Sequence, residues 1–180
     1  LGHRVVTLSR EVHAGLLAKD TDEDREELKG LNIPWIDMAC VDLYPLQNEI
    51  AKTGSTRESV IEQTDIGGPT ILRSAAKGRR IVICNPVDRK RVLMWMESGR
   101  PEEDGFITEL VAKAEATIAR YCLDSARFHS KGEYDGVIGR RVAGCKYGEN
   151  AWQTPAALYA VDSTDPWALE HFRLLAGTLP

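Results

Sequence analysis

The chain has 180 residues, 43% hydrophobic and 28% charged, a composition able to bury a core and sized for one domain or one and a half. A net charge of −4 argues against nucleic acid or an anionic membrane surface as a partner of the whole chain. The four cysteines, Cys40, Cys84, Cys122 and Cys145, never stand in C-x-x-C spacing, so reduced, buried thiols are expected rather than a metal site.

From Arg4 to Ala18 the pattern predicts extended chain passing into a short helix or loop. Asp20 to Gly30 reads as a charged helix capped by Thr21 or Asp22, with acids loading its first turn. Ile36 to Leu43 is a short apolar run between Pro34 and Pro45, suited to a buried parallel strand. Tyr44 then falls just past the strand's carboxyl end, where ligands gather in open α/β sheets. Ser55-Thr56-Arg57-Glu58 reads as a capping box opening a helix that ends near Gln63.

The stretch from Thr64 to Gly78 carries the densest signal: a carboxylate, two glycines, and a helix entered at Pro69 and closed by Gly78 in the left-handed conformation. A carboxylate and approachable backbone beside a helix start form a place for an anion or a polar ring. An ordinary loop-to-helix entry with Arg73 and Lys77 on one solvated face is the other reading. Arg80 to Cys84 predicts a second buried strand, and Asn85-Pro86 caps a helix through Trp95 to about Ser98. From Glu102 to about Phe128 a long helix follows, with Phe106, Leu110, Ala114, Ile118 and Tyr121 as its core stripe. Strand, helix, strand, helix with short links argues for an α/β parallel sheet. Beyond Gly132 the texture changes, with a strand expected at Ala156 to Val161 and a short helix at Trp167 to Leu175. No apolar run reaches the length of a membrane span and no signal-like start is present, so a cytoplasmic protein is expected. The opening Leu1-Gly2-His3-Arg4, without an initiator Met, reads as mid-domain sequence, and upstream residues are expected to be missing.

Four blocks, in this order and spacing, resemble the AICAR transformylase/IMP cyclohydrolase family of purine biosynthesis. They are Arg4 to Leu8 with Val12 to Gly15, Val41-Asp42-Leu43-Tyr44-Pro45, Thr64 to Lys77, and Lys146-Tyr147-Gly148-Glu149-Asn150. The third, close to D-I-G-G-P-T-x-x-R-A-A-A-K, is the most specific. The resemblance implies an MGS-like or Rossmann-like α/β cyclohydrolase domain over residues 1–131, a linker over 132–145, and the start of an α+β transformylase-like domain over 146–180. It implies ring closure of formyl-AICAR to IMP without metal or cofactor. In the complete protein it also implies formyl transfer to AICAR with 10-formyltetrahydrofolate as cosubstrate. A homodimer with a shared transformylase site is implied as well.

By the same resemblance Asp65, Lys77 and Tyr44 are the catalytic candidates. The backbone of Ile66, Gly67 and Gly68 would hold the base, Arg4 and Thr7 would reach the phosphate, and Arg73, Lys146 and Tyr147 join the substrate-binding set. Four departures stand out: Val6 replaces a family lysine, Ser9 a histidine, Trp152 a histidine, and Lys146 an arginine, keeping the charge but losing the bidentate fork. The missing cation would have to come from Lys77, Arg4 or Arg10. If residues 69–77 form a straight helix, Asp65 and Lys77 lie more than about 12 Å apart. Then the Asp65 loop folds back, the helix starts late, or the two groups serve opposite ends of the substrate. Two other readings remain open: a transformylase whose cyclohydrolase half has decayed, and a non-catalytic nucleotide-binding scaffold. His13 corresponds to a histidine of the family motif, yet among apolar neighbours it reads as a packing residue; outside the blocks, Trp95 with Met94 and Met96 reads as core or dimer surface. The other histidines lack ligand spacing, and the basic clusters at 77–80 and 89–91 lack interleaved aromatics.

Overall fold

Two three-residue strands, β1 (Met38–Cys40) and β2 (Ile81–Ile83), pair in parallel with Met38 opposite Ile81, Ala39 opposite Val82 and Cys40 opposite Ile83. They belong to a computed structural model that describes residues 7–161, 165–173 and 175–177. The chain divides into two compact units, Leu1–Tyr134 and Asp135–Pro180.

In the first unit the described elements run α1 (Arg10–Leu17), α2 (Asp22–Gly30), β1, α3 (Leu46–Ala51), α4 (Arg57–Glu62), α5 (Gly67–Lys77), β2, α6 (Val87–Glu97) and α7 (Glu103–His129). The expected α/β reading holds: a small parallel sheet with its crossover through α3, α4 and α5. β2 is buried along its whole length, as an inner strand should be, whereas β1 buries only Ala39 and leaves Met38 and Cys40 exposed. The strand expected from Ile36 to Leu43 is therefore shorter and half covered. Against the sheet, α5 packs on α7, and Ala75 and Ala114, both without exposed surface, lie in the core with Leu72, Val82 and Leu110. Small side chains there let the two helices approach closely.

Local chemistry sets the helix ends. Ser9 caps α1 by accepting from the Val12 amide at 3.2 Å, and Thr21 caps α2 by accepting from Asp24 at 3.3 Å. The capping box of α4 is formed by Thr56 and Ser59 rather than by Ser55 and Glu58. α5 begins at Gly67, so Pro69 sits inside the first turn, where no amide has an intrahelical partner and proline is tolerated. Gly78 is not left-handed, with φ at −76°; Arg79 takes that conformation, with φ at 53°. α3 was not foreseen, because a six-residue helix after Pro45 carries no periodicity to read. At the C-terminal end of α1 the buried Arg80 donates to the carbonyls of Leu16 at 2.9 Å and Ala18 at 2.5 Å, and its guanidinium lies 3.6 Å from the Trp35 ring centre. Trp95 is core, stacked on Phe106 at 4.4 Å, while Met94 and Met96 are exposed.

The second unit is a hairpin of β3 (Arg140–Cys145) and β4 (Ala156–Ala160), antiparallel, with an irregularity between Arg141 and Ala143. β3 lies within the segment expected to be a linker. The short helix expected at 167–175 is a 3-10 turn at Leu169–His171. Among the described residues no helix is long and apolar enough to cross a membrane.

Candidate functional site

The loop before α5 is built around Asp65. Its carboxylate accepts from the Gly68 amide at 2.8 Å, which satisfies one orphan donor of the helix start, and from the Tyr44 amide at 3.4 Å. One side chain thus joins the chain leaving β1 to the N-terminus of α5. From the other side the Asp65 amide donates to the Tyr121 hydroxyl at 2.6 Å, and that hydroxyl donates to the Gln63 carbonyl at 3.0 Å. Burial holds the Tyr121 phenol above its ordinary pKa, so it stays a donor at neutral pH.

The two glycines are required by space. A methyl group on Gly67 would collide with the Thr7 hydroxyl; one on Gly68 would collide with the Asp65 carboxylate and lie 2.8 Å from Leu43. Thr7, Leu43 and Asp65 therefore close directly on the helix backbone. Tyr44, 52% exposed, and Ile66, 60% exposed, flank this cradle, leaving it open to solvent. A polar ring laid there would meet amides, a carboxylate and two flanking side chains.

Tyr44, Asp65, Gly67, Gly68 and Thr7 are brought together; Lys77 is not. It ends the regular helix that starts at Gly67, about 15 Å of rise away. Of the three arrangements left open by the sequence, the helix does not start late. Asp65 does not fold back over it either, since its carboxylate caps the first turn. Lys77 is exposed, and one turn earlier the exposed Arg73 pairs with Glu115 of α7 at 3.6 Å. Arg10 pairs with its neighbour Glu11 at 3.1 Å. Arg4 and Val6 lie outside the described residues.

The segment from Thr7 to Leu16 runs alongside α5. Thr7 packs on Gly67, His13 Nδ1 lies 2.8 Å from the Ser74 hydroxyl, and the Leu16 carbonyl abuts Gly78. His13 Nε2 is buried, with no hydrogen-bond partner among the described residues. In the second unit Lys146 and Tyr147 follow β3, the ammonium 6.0 Å from the Tyr147 ring centre. Gln153 closes this turn by accepting from Gly148 at 2.9 Å through its backbone carbonyl and from Asn150 at 2.8 Å through its side-chain carbonyl. Among the described residues no group of three or more His, Cys, Asp or Glu side chains is placed to hold a metal. Sequence reasoning took Tyr121 as one more core residue. A phenol rather than an aliphatic side chain at the end of that stripe was the available signal.

No family model matches the chain. The bifunctional purine biosynthesis protein PurH of Magnetococcus marinus is 37% identical over 174 residues, covering 89% of this chain. That match takes in 32% of the relative, so the chain spans about a third of its length. The crystal structure of ForH superposes with a TM-score of 0.61 at 30% identity, covering 74% of this chain and 70% of that one.

Proposed function

The chain belongs to the PurH family, and on that footing we propose that its first unit carries the ring closure of formyl-AICAR to IMP in purine biosynthesis. In this step the carboxamide nitrogen attacks the formyl carbon, forming the C–N bond. The formyl oxygen leaves as water, with one proton from the carboxamide nitrogen and one from the formamido nitrogen, as the ring C=N bond forms. The chemistry calls for a proton acceptor, oriented donors at the developing oxyanion, and an approachable backbone that holds the base. Asp65 would orient or deprotonate the carboxamide nitrogen. Tyr44 would hydrogen-bond the formyl or hydrated carbon. The backbone of Ile66, Gly67 and Gly68 would hold the base, and Thr7 would face the phosphate together with Arg4.

Lys77, with Arg73, would act from the far end of α5, stabilising negative charge on a ligand laid along the helix. Long helical side chains lean toward the N-terminus, which shortens that reach. The observation that carries the reading is the Asp65 carboxylate bridging the Tyr44 and Gly68 amides. With the rest of a longer chain, the unit that begins at Asp135 would take part in formyl transfer from 10-formyltetrahydrofolate to AICAR, and a homodimer would share that site.

The test is to supply the full-length protein with formyl-AICAR and follow IMP. Turnover that Asp65→Asn abolishes and Lys77→Ala lowers supports the assignment; turnover indifferent to both overturns it. A second reading, formyl transfer alone with a decayed cyclohydrolase half, is favoured by Ser9. Where the family has histidine, this serine is used up as the cap of α1, and Val6 can supply no cation. Formyl transfer to AICAR without IMP formation supports that reading. Calorimetric binding of IMP with neither activity would point to a scaffold.

A further inference from the structure

α7 carries two polar side chains one turn apart, and each reaches a different one of the loops that present the catalytic candidates. Tyr121 bridges the Asp65 amide and the Gln63 carbonyl. Asp124 accepts from the side-chain amide of Gln47 in α3, three residues past Tyr44, and is itself backed by Arg127 at 3.8 Å. The two loops open and close the α3–α4 stretch of the same β1-to-β2 crossover. At the site they meet through the Asp65 carboxylate and the Tyr44 amide, at 3.4 Å a long hydrogen bond, and through Leu43 packed against Gly68. A bond that long does not fix their separation on its own. α7 is the rigid body to which both are fastened, and its core stripe holds it against the sheet.

We infer that Tyr121 and Asp124 are the positioning pair that sets the distance and orientation of Asp65 relative to Tyr44; this rests on the ring-closing reading above. The hydroxyl fixes the Asp65 backbone from the side opposite its carboxylate, so the carboxylate is aimed by two constraints. The Gln47 contact fixes the start of α3 and, through it, the backbone that ends in Tyr44. Neither side chain touches the reacting atoms. Their effect is on the turnover of bound substrate, because a displaced base or donor costs rate more than affinity.

The experiment uses the full-length protein with three substitutions. Tyr121→Phe keeps the ring and removes the hydroxyl; kcat for IMP formation is expected to fall about tenfold with KM within about twofold. Asp124→Ala is expected to fall likewise, while Asp124→Asn, whose amide oxygen still accepts from Gln47, keeps the rate. Amide hydrogen exchange at Asp65 supplies a readout free of any substrate: it is expected to quicken about tenfold or more in Tyr121→Phe. Unchanged kcat together with unchanged exchange overturns the inference. Loss of rate in Asp124→Asn equal to that in Asp124→Ala overturns the Asp124 half. If the unsubstituted protein makes no IMP, the ring-closing reading fails, and the exchange measurement still decides whether the clamp exists.

Discussion

At Gly78 there is no room for a methyl group: a Cβ would collide with the Leu16 carbonyl oxygen and lie 3.2 Å from that of Ser74. The glycine is there for close approach of α1 to the end of α5, not for a left-handed turn. Gly78→Ala is accordingly expected to lower stability by about 1–3 kcal/mol, read as a shifted urea midpoint with an unchanged slope. Gly105 in the first turns of α7 meets nothing within 4 Å, and Gly105→Ala is expected to stabilise by about 0.5–1 kcal/mol in the same assay. Asp65 separates stability from chemistry. Asp65→Ala deletes the acceptor for the Gly68 amide and should cost about 0.5–2 kcal/mol, whereas Asp65→Asn keeps a carbonyl oxygen there and should cost less. On the proposed ring-closing reading both should stop IMP formation, since neither residue accepts a proton. Asp65 was legible because a capping acid ahead of a helix start is a local matter of one loop; Gly67 and Gly68 were marked by the family block, whereas the Thr7 and Leu43 contacts that require them come from distant chain. Tyr121 was not, because its hydroxyl meets a backbone 56 residues away, and nothing in a helical stripe tells which member turns its polar end to a loop.

Element by element, the helices with caps or long stripes were readable and the short ones were not. The Thr21 cap and the acidic first turn announced α2, and the three- and four-residue spacing announced α7. β1 was overextended by the sequence because its apolar run continues past the ladder: Val41 donates a last hydrogen bond to the Ile83 carbonyl at 2.9 Å, and Leu43 packs on the core beyond it. Between α6 and α7 stands an ion pair that hydrophobic periodicity does not show, Asp88 with Lys113 at 2.5 Å. Its two ends are unequally covered, the Asp88 side chain 6% exposed and that of Lys113 37%. Removing either partner therefore has a different consequence. Lys113→Met leaves a buried carboxylate with its main counter-charge gone and is expected to cost about 3–5 kcal/mol. Asp88→Asn leaves an ammonium that water can reach and is expected to cost clearly less. Chemical denaturation of the two variants checks the asymmetry; equal losses would mean that the pair is solvated at both ends.

For the molecule as a whole, the balance of charges predicts the shape of stability against pH. Glu109 is held below its ordinary range by the hydrogen bond from Arg91, Asp20 by that from Arg25, and Glu49 chiefly by that from Ser59. A carboxylate whose pKa is depressed by folding adds stability that is complete above its unfolded value, near 4, and is lost as pH falls through the folded one. Asp20 and Glu109 are exposed, where water and salt screen them, so their part of the acid limb should be shallow and should flatten further at about 1 M salt, while Glu49, its side chain 14% exposed, should answer less to salt. The alkaline limb has a different origin. Burial raises the Tyr121 phenol, so its contribution is complete below an unfolded value near 10 and fades as pH climbs through the folded one, because the unfolded phenol ionises first. Being partly buried, it should answer weakly to salt. Urea midpoints across the pH range, at low and high salt, check both limbs. Tyr121→Phe is expected to flatten the alkaline limb alone. An acid limb indifferent to salt would locate the controlling carboxylates in the interior, and an alkaline limb unchanged by Tyr121→Phe would remove the phenol from the account.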